Sequence, residues 1–153
     1  MSLLDIVLVQ PEIPQNTGNI GRTCVITGCR LHLVGPLGFS VTDTALKRAG
    51  LDYWPNLDVT IYECWEEFWQ QHRHRQVWCM TTKGKKRHVD VAWPREAMLL
   101  FGQETRGLDP EILALGENIR LPMGRGYRSY NLANAVAIAI FEYLRQWDFP
   151  GMD

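Results

Sequence analysis

Three short stretches in the second half of the chain carry residue types that can bind a ligand. Gly102-Gln103-Glu104-Thr105-Arg106-Gly107 sets a carboxylate and a guanidinium between two glycines, which allow a tight turn and close backbone approach. Glu104 in such a loop can accept hydrogen bonds from neighbouring backbone or hold a cation. A plain strand-to-helix turn is the alternative, and the spacing is not the G-x-G-x-x-G dinucleotide fingerprint. Thr82-Lys83-Gly84-Lys85-Lys86-Arg87-His88 is basic: a solvated surface in most proteins, a phosphate-binding patch if a pocket lies beside it. Gly124-Arg125-Gly126-Tyr127-Arg128-Ser129-Tyr130-Asn131 leads into a helix. There Ser129, Asn131 and Asn134 set short polar groups where free backbone N–H groups point outward. Capping and ligand binding are both open at these positions, and they can coexist. Near the N-terminus, Asn16 and Arg22 bracket another strand-to-helix turn. Arg22 stands among Ile20, Gly21, Cys24 and Val25, where a charged side chain either has a partner or a task, or is simply exposed.

The elements that must position these residues alternate. Leu4–Val9 is a short aliphatic strand ended by Pro11 and Pro14, and Ile20–Thr27 is a helix ending near Gly28. Leu31–Val34 is a strand stopped by Gly35-Pro36. Thr42-Asp43-Thr44 can cap a short helix through Ala49, with Gly50 just past its end. Val59–Tyr62 is a third strand, followed by a helix on which Trp65, Phe68, Trp69 and His72 recur at helical spacing as a core-facing stripe. Gln76–Thr81 and Ala97–Phe101 are strands. Asp109-Pro110 opens a helix to about Leu115, Ile119–Pro122 is the last strand, and a long helix runs from about Leu132 to Trp147. Strands separated by helices imply βαβ units, so the expected fold is α/β: a mainly parallel sheet covered by helices, in one domain spanning 1–153. In such sheets ligands bind beyond the carboxyl ends of the strands, where the three marked loops fall.

Composition narrows the function classes. Hydrophobic residues make up 46% and charged residues 22%, which is globular composition and excludes a disordered chain. No apolar run approaches the roughly 20 residues that span a bilayer, and the start Met1-Ser2-Leu3-Leu4-Asp5 lacks the basic region of a leader. A cytoplasmic protein with no membrane partner is expected. Cys24, Cys29, Cys64 and Cys79 lie in apolar segments without a C-x-x-C pair and read as buried free thiols. His72 and His74 lack further ligands at zinc spacing, so no metal site is expected. The net charge of −1 lends no support to nucleic-acid binding by bulk charge; any RNA contact must come from local patches.

Three ordered stretches carry a family resemblance. They are Asn16-Thr17-Gly18-Asn19-Ile20-Gly21-Arg22, Phe101–Leu108, and Ile119-Arg120-Leu121-Pro122-Met123 followed by Arg128-Ser129-Tyr130-Asn131-Leu132-Ala133-Asn134-Ala135-Val136. They resemble the three motifs of the SPOUT methyltransferases, most closely the minimal TrmL branch that methylates the wobble-nucleotide ribose of certain leucine tRNAs. The likeness covers nearly the whole chain, including Pro11-Glu12-Ile13-Pro14 and Ala49-Gly50-Leu51-Asp52-Tyr53.

The resemblance implies an α/β fold with a deep C-terminal trefoil knot, although unknotted chains are the physical rule. It implies a homodimer, a tRNA anticodon stem-loop as substrate and S-adenosylmethionine as methyl donor, with no metal required. Carried over by position, the cofactor would lie against Met80, Thr81, Gly102, Glu104, Leu121, Met123, Ser129 and Leu132. RNA would meet Asn16, Lys83, Arg106 and Arg128, and Arg22 would be the catalytic residue at the ribose hydroxyl. Arginine side chains stay protonated at neutral pH, which makes them poor bases there. The expected role of Arg22 is therefore to orient the 2′-hydroxyl and stabilise developing alkoxide charge. Ala133 stands where relatives often have serine, Gln103 where proline or serine is common, and Gly124-Arg125-Gly126-Tyr127 departs from the usual loop. The last departure bears on the RNA contacts. A ribosomal-RNA ribose methyltransferase and a catalytically silent RNA-binding relative are the alternatives; intact Arg22, Glu104, Ser129 and Asn131 speak against the silent one.

Overall fold

A computed structural model describes residues 3–153, and the side chains of all these except 50–52. Met1-Ser2 of the start discussed above, and the side chains of Gly50-Leu51-Asp52, lie outside the described residues. The first strand, β1 (Leu4–Val9), is buried at all six positions. An unbroken aliphatic run suits a strand covered on both faces. It lies beside β2 (Arg30–Val34), which pairs in turn with β3 (Val59–Tyr62), and on its other side beside β6 (Ala97–Phe101). Beyond β6 come β4 (Trp78–Met80), β7 (Glu117–Arg120) and β5 (Lys86–Arg87), giving the order β3-β2-β1-β6-β4-β7-β5 with every pairing parallel. The parallel α/β expectation holds.

Side chains alternate between two cores, as the two-residue period of a strand requires. Leu4, Ile6, Leu8, Leu99 and Phe101 pack with Ile20 of α1 (Pro14–Thr27) and Ile140 and Tyr143 of α5 (Leu132–Gln146). Val7, Val9, Met98 and Leu100 pack on the other face with Phe68 of α3 (Trp65–His72) and Ile112 of α4 (Pro110–Leu113). The aromatic stripe of α3 is core as expected: Phe68 is fully buried, and Trp65 and Trp69 stack beside it at 5.5 Å. The remaining helix, α2 (Thr44–Gly50), runs into a 3-10 segment at Leu51–Asn56 that the pattern did not announce. All four cysteines are free thiols; Cys24, Cys29 and Cys79 are buried and Cys64 half-buried. Among the described residues no helix is long and apolar enough to cross a membrane.

Some boundaries differ from expectation. Helix α1 starts at Pro14, six residues before Ile20, because Pro suits the first turn and Asn16, Thr17 and Gly18 are turned into the protein. Packing there outweighs the poor helix propensity of that run. Strand β7 starts at Glu117, two residues early, alongside Trp78, and its pairing stops before Pro122, which has no N–H to give. The basic stretch expected as loop contains the two-residue edge strand β5.

One crossing shapes everything downstream. Met80 and Lys86 flank the same residue of β7, Ile119, from opposite sides. The five residues between them therefore pass across β7. Thr81 N–H donates to Ile119 O at 2.8 Å, and Arg120 Nη1 donates to Lys85 O at 3.2 Å. Gly84 lies so close to β7 that a Cβ there would sit 2.4 Å from Ile119 C. A strap across a strand whose chain continues beneath it is consistent with a knotted path.

Candidate functional site

The sheet order explains why three loops far apart in sequence meet. Strands β6, β4 and β7 are neighbours and parallel, so the segments leaving their carboxyl ends emerge side by side. Together with the first turn of α5 they enclose a cavity of about 620 Å³, within the range of small-molecule and cofactor pockets. Met80 and Thr81 come from the end of β4, Gly102 and Glu104 from the loop after β6, and Leu121 and Met123 from the segment after β7. Ser129 and Leu132 come from the entry to α5. Every residue expected at the cofactor lines this one cavity.

Glu104 has a defined task. Its carboxylate accepts the backbone N–H of Glu12 at 2.8 Å and of Ile13 at 3.1 Å, immediately before α1. It accepts backbone hydrogen bonds, as one of the two roles open from sequence required, but from a segment 92 residues away rather than from its own neighbours. The bond is returned: Glu12 accepts from Thr105 N–H at 3.1 Å and Thr105 Oγ1 at 2.7 Å. Those Thr105 donors, helped by Arg106, hold the Glu12 carboxyl below its ordinary range. Gln103 Nε2 adds a bond to Gln10 Oε1 at 3.2 Å. The loop closes on itself through Gln103 and Gly107, and a Cβ on Gly102 would sit 2.0 Å from Gly107 C. This is a glycine required by close approach.

At α5, Asn131 Oδ1 accepts the Asn134 N–H at 3.2 Å and so caps the helix, while its Nδ2 donates to Asn16 Oδ1 at 3.0 Å. Asn131 is thus a cap that also lines the cavity. Tyr130 OH donates to Pro122 O at 2.6 Å and closes the loop between β7 and α5. Neither the Tyr130 anchor nor the contribution of Ile13 to the cavity was legible from spacing; the proline-flanked Glu12-Ile13 pair was the only signal.

The expected RNA contacts divide. Lys83, Arg106 and Arg128 line the cavity and are exposed. Asn16 also borders it but is only 6% exposed and accepts from Asn131 Nδ2. Arg22 is not brought to the cavity. It is exposed on α1, with its guanidinium 4.9 Å from the ring centre of Tyr53. On the α1–α5 side lies a second, smaller cavity of about 360 Å³, bordered by Asn19, Thr23, Asn134 and Ala137.

The arrangement suits a ligand with an aromatic or aliphatic body and polar ends. Phe101, Leu108, Leu121, Leu132 and Ala135 provide apolar wall, and Ser129, Asn131 and the first turn of α5 provide polar groups. Free N–H groups at such a helix start favour a carboxylate. An S-adenosylmethionine molecule has that composition, and the residues present fit it.

A model of the SpoU rRNA methylase family matches residues 3–141. The tRNA (cytidine(34)-2′-O)-methyltransferase of Methylovorus glucosotrophus is 48% identical, covering 97% of this chain and 99% of its own length. A solved structure bearing on the 2-OH methylation of C/U34 on tRNA is 42% identical, with a TM-score of 0.92 over 95% of this chain and 96% of that one. An AdoMet-bound rRNA methyltransferase from Sinorhizobium meliloti is 26% identical with a TM-score of 0.84, covering 93% of this chain and 56% of that one.

Proposed function

The chain belongs to the SpoU rRNA methylase family, and from that premise we propose that it methylates the ribose 2′-hydroxyl of the wobble nucleotide of tRNA. The nucleotide is cytidine 34 or a modified uridine 34, with leucine tRNAs as the substrate class. The observation that carries this reading is one cavity, at the ends of β6, β4 and β7 and the start of α5, which all eight residues assigned to the cofactor line. Full-length similarity to cytidine(34) enzymes supports tRNA over ribosomal RNA, since the rRNA enzyme is matched over little more than half its length.

When bound, S-adenosylmethionine supplies an electrophilic sulfonium methyl group. The chain's residues do the rest. Met80, Leu121 and Leu132 exclude water around the apolar parts of the ligand, and Gly102 and Glu104 keep the loop after β6 in place. Ser129 and the α5 first turn receive the polar end, with Thr81 and Met123 completing the walls. Lys83, Arg106 and Arg128 take phosphates of the anticodon stem-loop, and Asn16 holds Asn131. Arg22 orients the ribose hydroxyl and stabilises the alkoxide as it forms.

Arg22 stands outside the cavity of its own subunit, and a homodimer supplies it from the other. The surface that fits such a dimer is the α1–α5 face. Thr23 and Ile26 on α1 fall one helical turn apart, as do Asn134, Ile138 and Phe141 on α5. Ile26, Ile138 and Phe141 are 54%, 39% and 47% exposed, a cost that a partner surface relieves. In this reading the chain is one domain, works as a dimer and acts in the cytoplasm.

The test is methyl transfer from labelled S-adenosylmethionine to unmethylated tRNA and to ribosomal RNA side by side, with calorimetric binding of S-adenosylhomocysteine. Incorporation at position 34 of tRNA is expected. Binding of the product without transfer to tRNA would defeat the substrate assignment, and no binding at all would defeat the enzyme.

A further inference from the structure

Tyr127 is the most exposed large apolar side chain among the described residues, at 79%. It stands at the tip of the loop between β7 and α5, with Arg125 and Arg128 close on either side in sequence and both exposed. Gly126 turns the chain beside it with φ of 87°. The loop is fastened at its base by Tyr130 OH on Pro122 O at 2.6 Å and by Asn131 Nδ2 on Asn16 Oδ1 at 3.0 Å. One edge of the Tyr127 ring lies near Gly124, about 3.4 Å from where a Cβ would stand. Among the described residues the ring makes no hydrogen bond or ring contact. Packing therefore does not account for an aromatic residue at this point. Four other residues of the same loop, Met123, Arg128, Ser129 and Tyr130, line the cavity, so Tyr127 belongs to a loop that forms part of the cavity wall.

Resting on the methyltransferase reading, we propose that Tyr127 is a stacking platform for one unpaired base of the RNA loop, with Arg125 and Arg128 taking the flanking phosphates. A ribose buried in a folded loop must be drawn out before its hydroxyl can be approached. Unstacked bases are held on aromatic faces, because every base has a π-face to offer. Guanidinium groups beside the ring meet the backbone on either side of that base. With a net charge of −1, the chain has to concentrate its attraction for RNA locally, and this loop does so with Arg128 on the cavity wall and Arg125 close by in sequence. Tyr127 is a positioning residue for substrate; it touches neither cofactor nor the reacting hydroxyl.

The test uses a fluorescently labelled anticodon stem-loop, titrated into the full chain and its Tyr127→Ala, Tyr127→Phe and Tyr127→Trp variants across a series of salt concentrations. Tyr127→Ala should weaken binding roughly five- to a hundredfold, and Phe or Trp should stay within about twofold of wild type. The dependence of binding on salt should be unchanged in Tyr127→Ala but shallower by about 0.7 to 0.9 in log–log slope for Arg125→Ala. In methyl transfer the loss should fall on KM for RNA rather than on kcat, with S-adenosylhomocysteine affinity and sedimentation unaltered. Wild-type binding by Tyr127→Ala overturns the proposal. So does a loss that Phe fails to restore, or a changed sedimentation coefficient, which would assign the ring to a subunit contact. A wild-type chain that methylates tRNA while Tyr127→Ala does so equally at limiting RNA defeats this inference alone. A wild-type chain that neither binds nor methylates RNA defeats the reading beneath it as well.

Discussion

Glu12 and Glu104 stand 92 residues apart and hold each other's loops. Glu104 takes the N–H groups of Glu12 and Ile13, while Glu12 takes the N–H and hydroxyl of the residue after Glu104. The brace ties the start of α1 to the cavity wall after β6. It also explains how a carboxylate can border a cofactor cavity without repelling a ligand carboxylate: its charge is already met by backbone donors.

Removing one half of the brace should therefore loosen the cavity as well as the fold. Glu104→Ala frees two N–H groups and the loop they held; losing charge-assisted bonds at a partly exposed site costs about 1–2 kcal/mol. For a chain of this size that is roughly 3–6 °C in Tm. S-adenosylhomocysteine should bind roughly tenfold more weakly by calorimetry, and Glu104→Gln should fall between the two. A Glu104→Ala protein with unchanged melting and unchanged product affinity would show that the brace is incidental.

Two glycines should respond very differently to a methyl group. A Cβ on Gly84 would meet Ile119 C at 2.4 Å and Arg120 N at 2.7 Å, both backbone atoms that cannot step aside. Gly28, the left-handed cap of α1 at φ 74°, has nothing within 4 Å of its Cβ position. Gly28→Ala should cost about 1–2 kcal/mol, the price of the backbone conformation alone. Gly84→Ala should cost more than about 4 kcal/mol or prevent folding, because the strap can no longer cross β7. Chemical denaturation of both variants decides it; equal destabilisation would mean that the strap shifts freely.

What was legible in the sequence followed from local chemistry. β1, β3 and β6 matched their expected limits because aliphatic or β-branched runs bounded by polar or turn residues have one reading. The three loops could be picked out individually because glycine, basic residues and short polar side chains mark strand ends. Their meeting in one cavity could not be, since it depends on β4 lying between β6 and β7, an order no local pattern encodes. The Glu104 partners lie 92 residues away, and β5 is two lysine- and arginine-bearing residues that look like loop until β7 is placed beside them. Arg22 was tied to the site by resemblance, and the fold of one chain leaves it on α1 beside Tyr53.

Acid should weaken the protein through a buried polar chain on the α3 side. His32 bridges Asp5 at 2.7 Å and the Tyr62 hydroxyl at 2.8 Å, which continues to His72 Nε2 at 3.1 Å; Arg75 reaches Asp5 at 3.0 Å. Burial, together with the nearby His32, Arg75 and His74, lowers the His72 pKa to about 4, against the pull of Asp5. A folded-state pKa below the unfolded one means that the unfolded chain takes the proton first. Stability is then fully present above about 6.5 and is lost as pH falls toward 4. Burial pushes the Asp5 carboxyl up, but His32, Arg75 and Arg30 outweigh it and leave it below its ordinary value, which extends the loss to lower pH. Urea denaturation at stepped pH should show a decline from pH 6.5 to 4 that is shallower in His72→Gln. Parallel pH profiles for the two proteins would remove His72 from this account.

The position of Arg22 leads to a complementation experiment. Because it lies outside its own cavity, Arg22→Ala should leave S-adenosylhomocysteine binding intact. Methyl transfer should fall at least a hundredfold, the scale of losing a charge-stabilising donor. Arg22→Lys should recover little, since a point charge does not reproduce the guanidinium fork. A second variant, Ala135→Trp, fills the cavity from α5 while leaving Arg22 in place; it should dimerise and fail to bind the product. If Arg22 serves the partner's cavity, each variant alone is inactive, yet a mixed dimer has one cavity and one arginine that face each other. Random pairing makes half the dimers mixed, each with one working site of two, so co-expressed variants should recover roughly a quarter of wild-type activity. If Arg22 served its own subunit, no mixed dimer would hold both parts in one site and activity would stay at zero. The recovered activity therefore reports directly on which subunit's ribose hydroxyl Arg22 approaches.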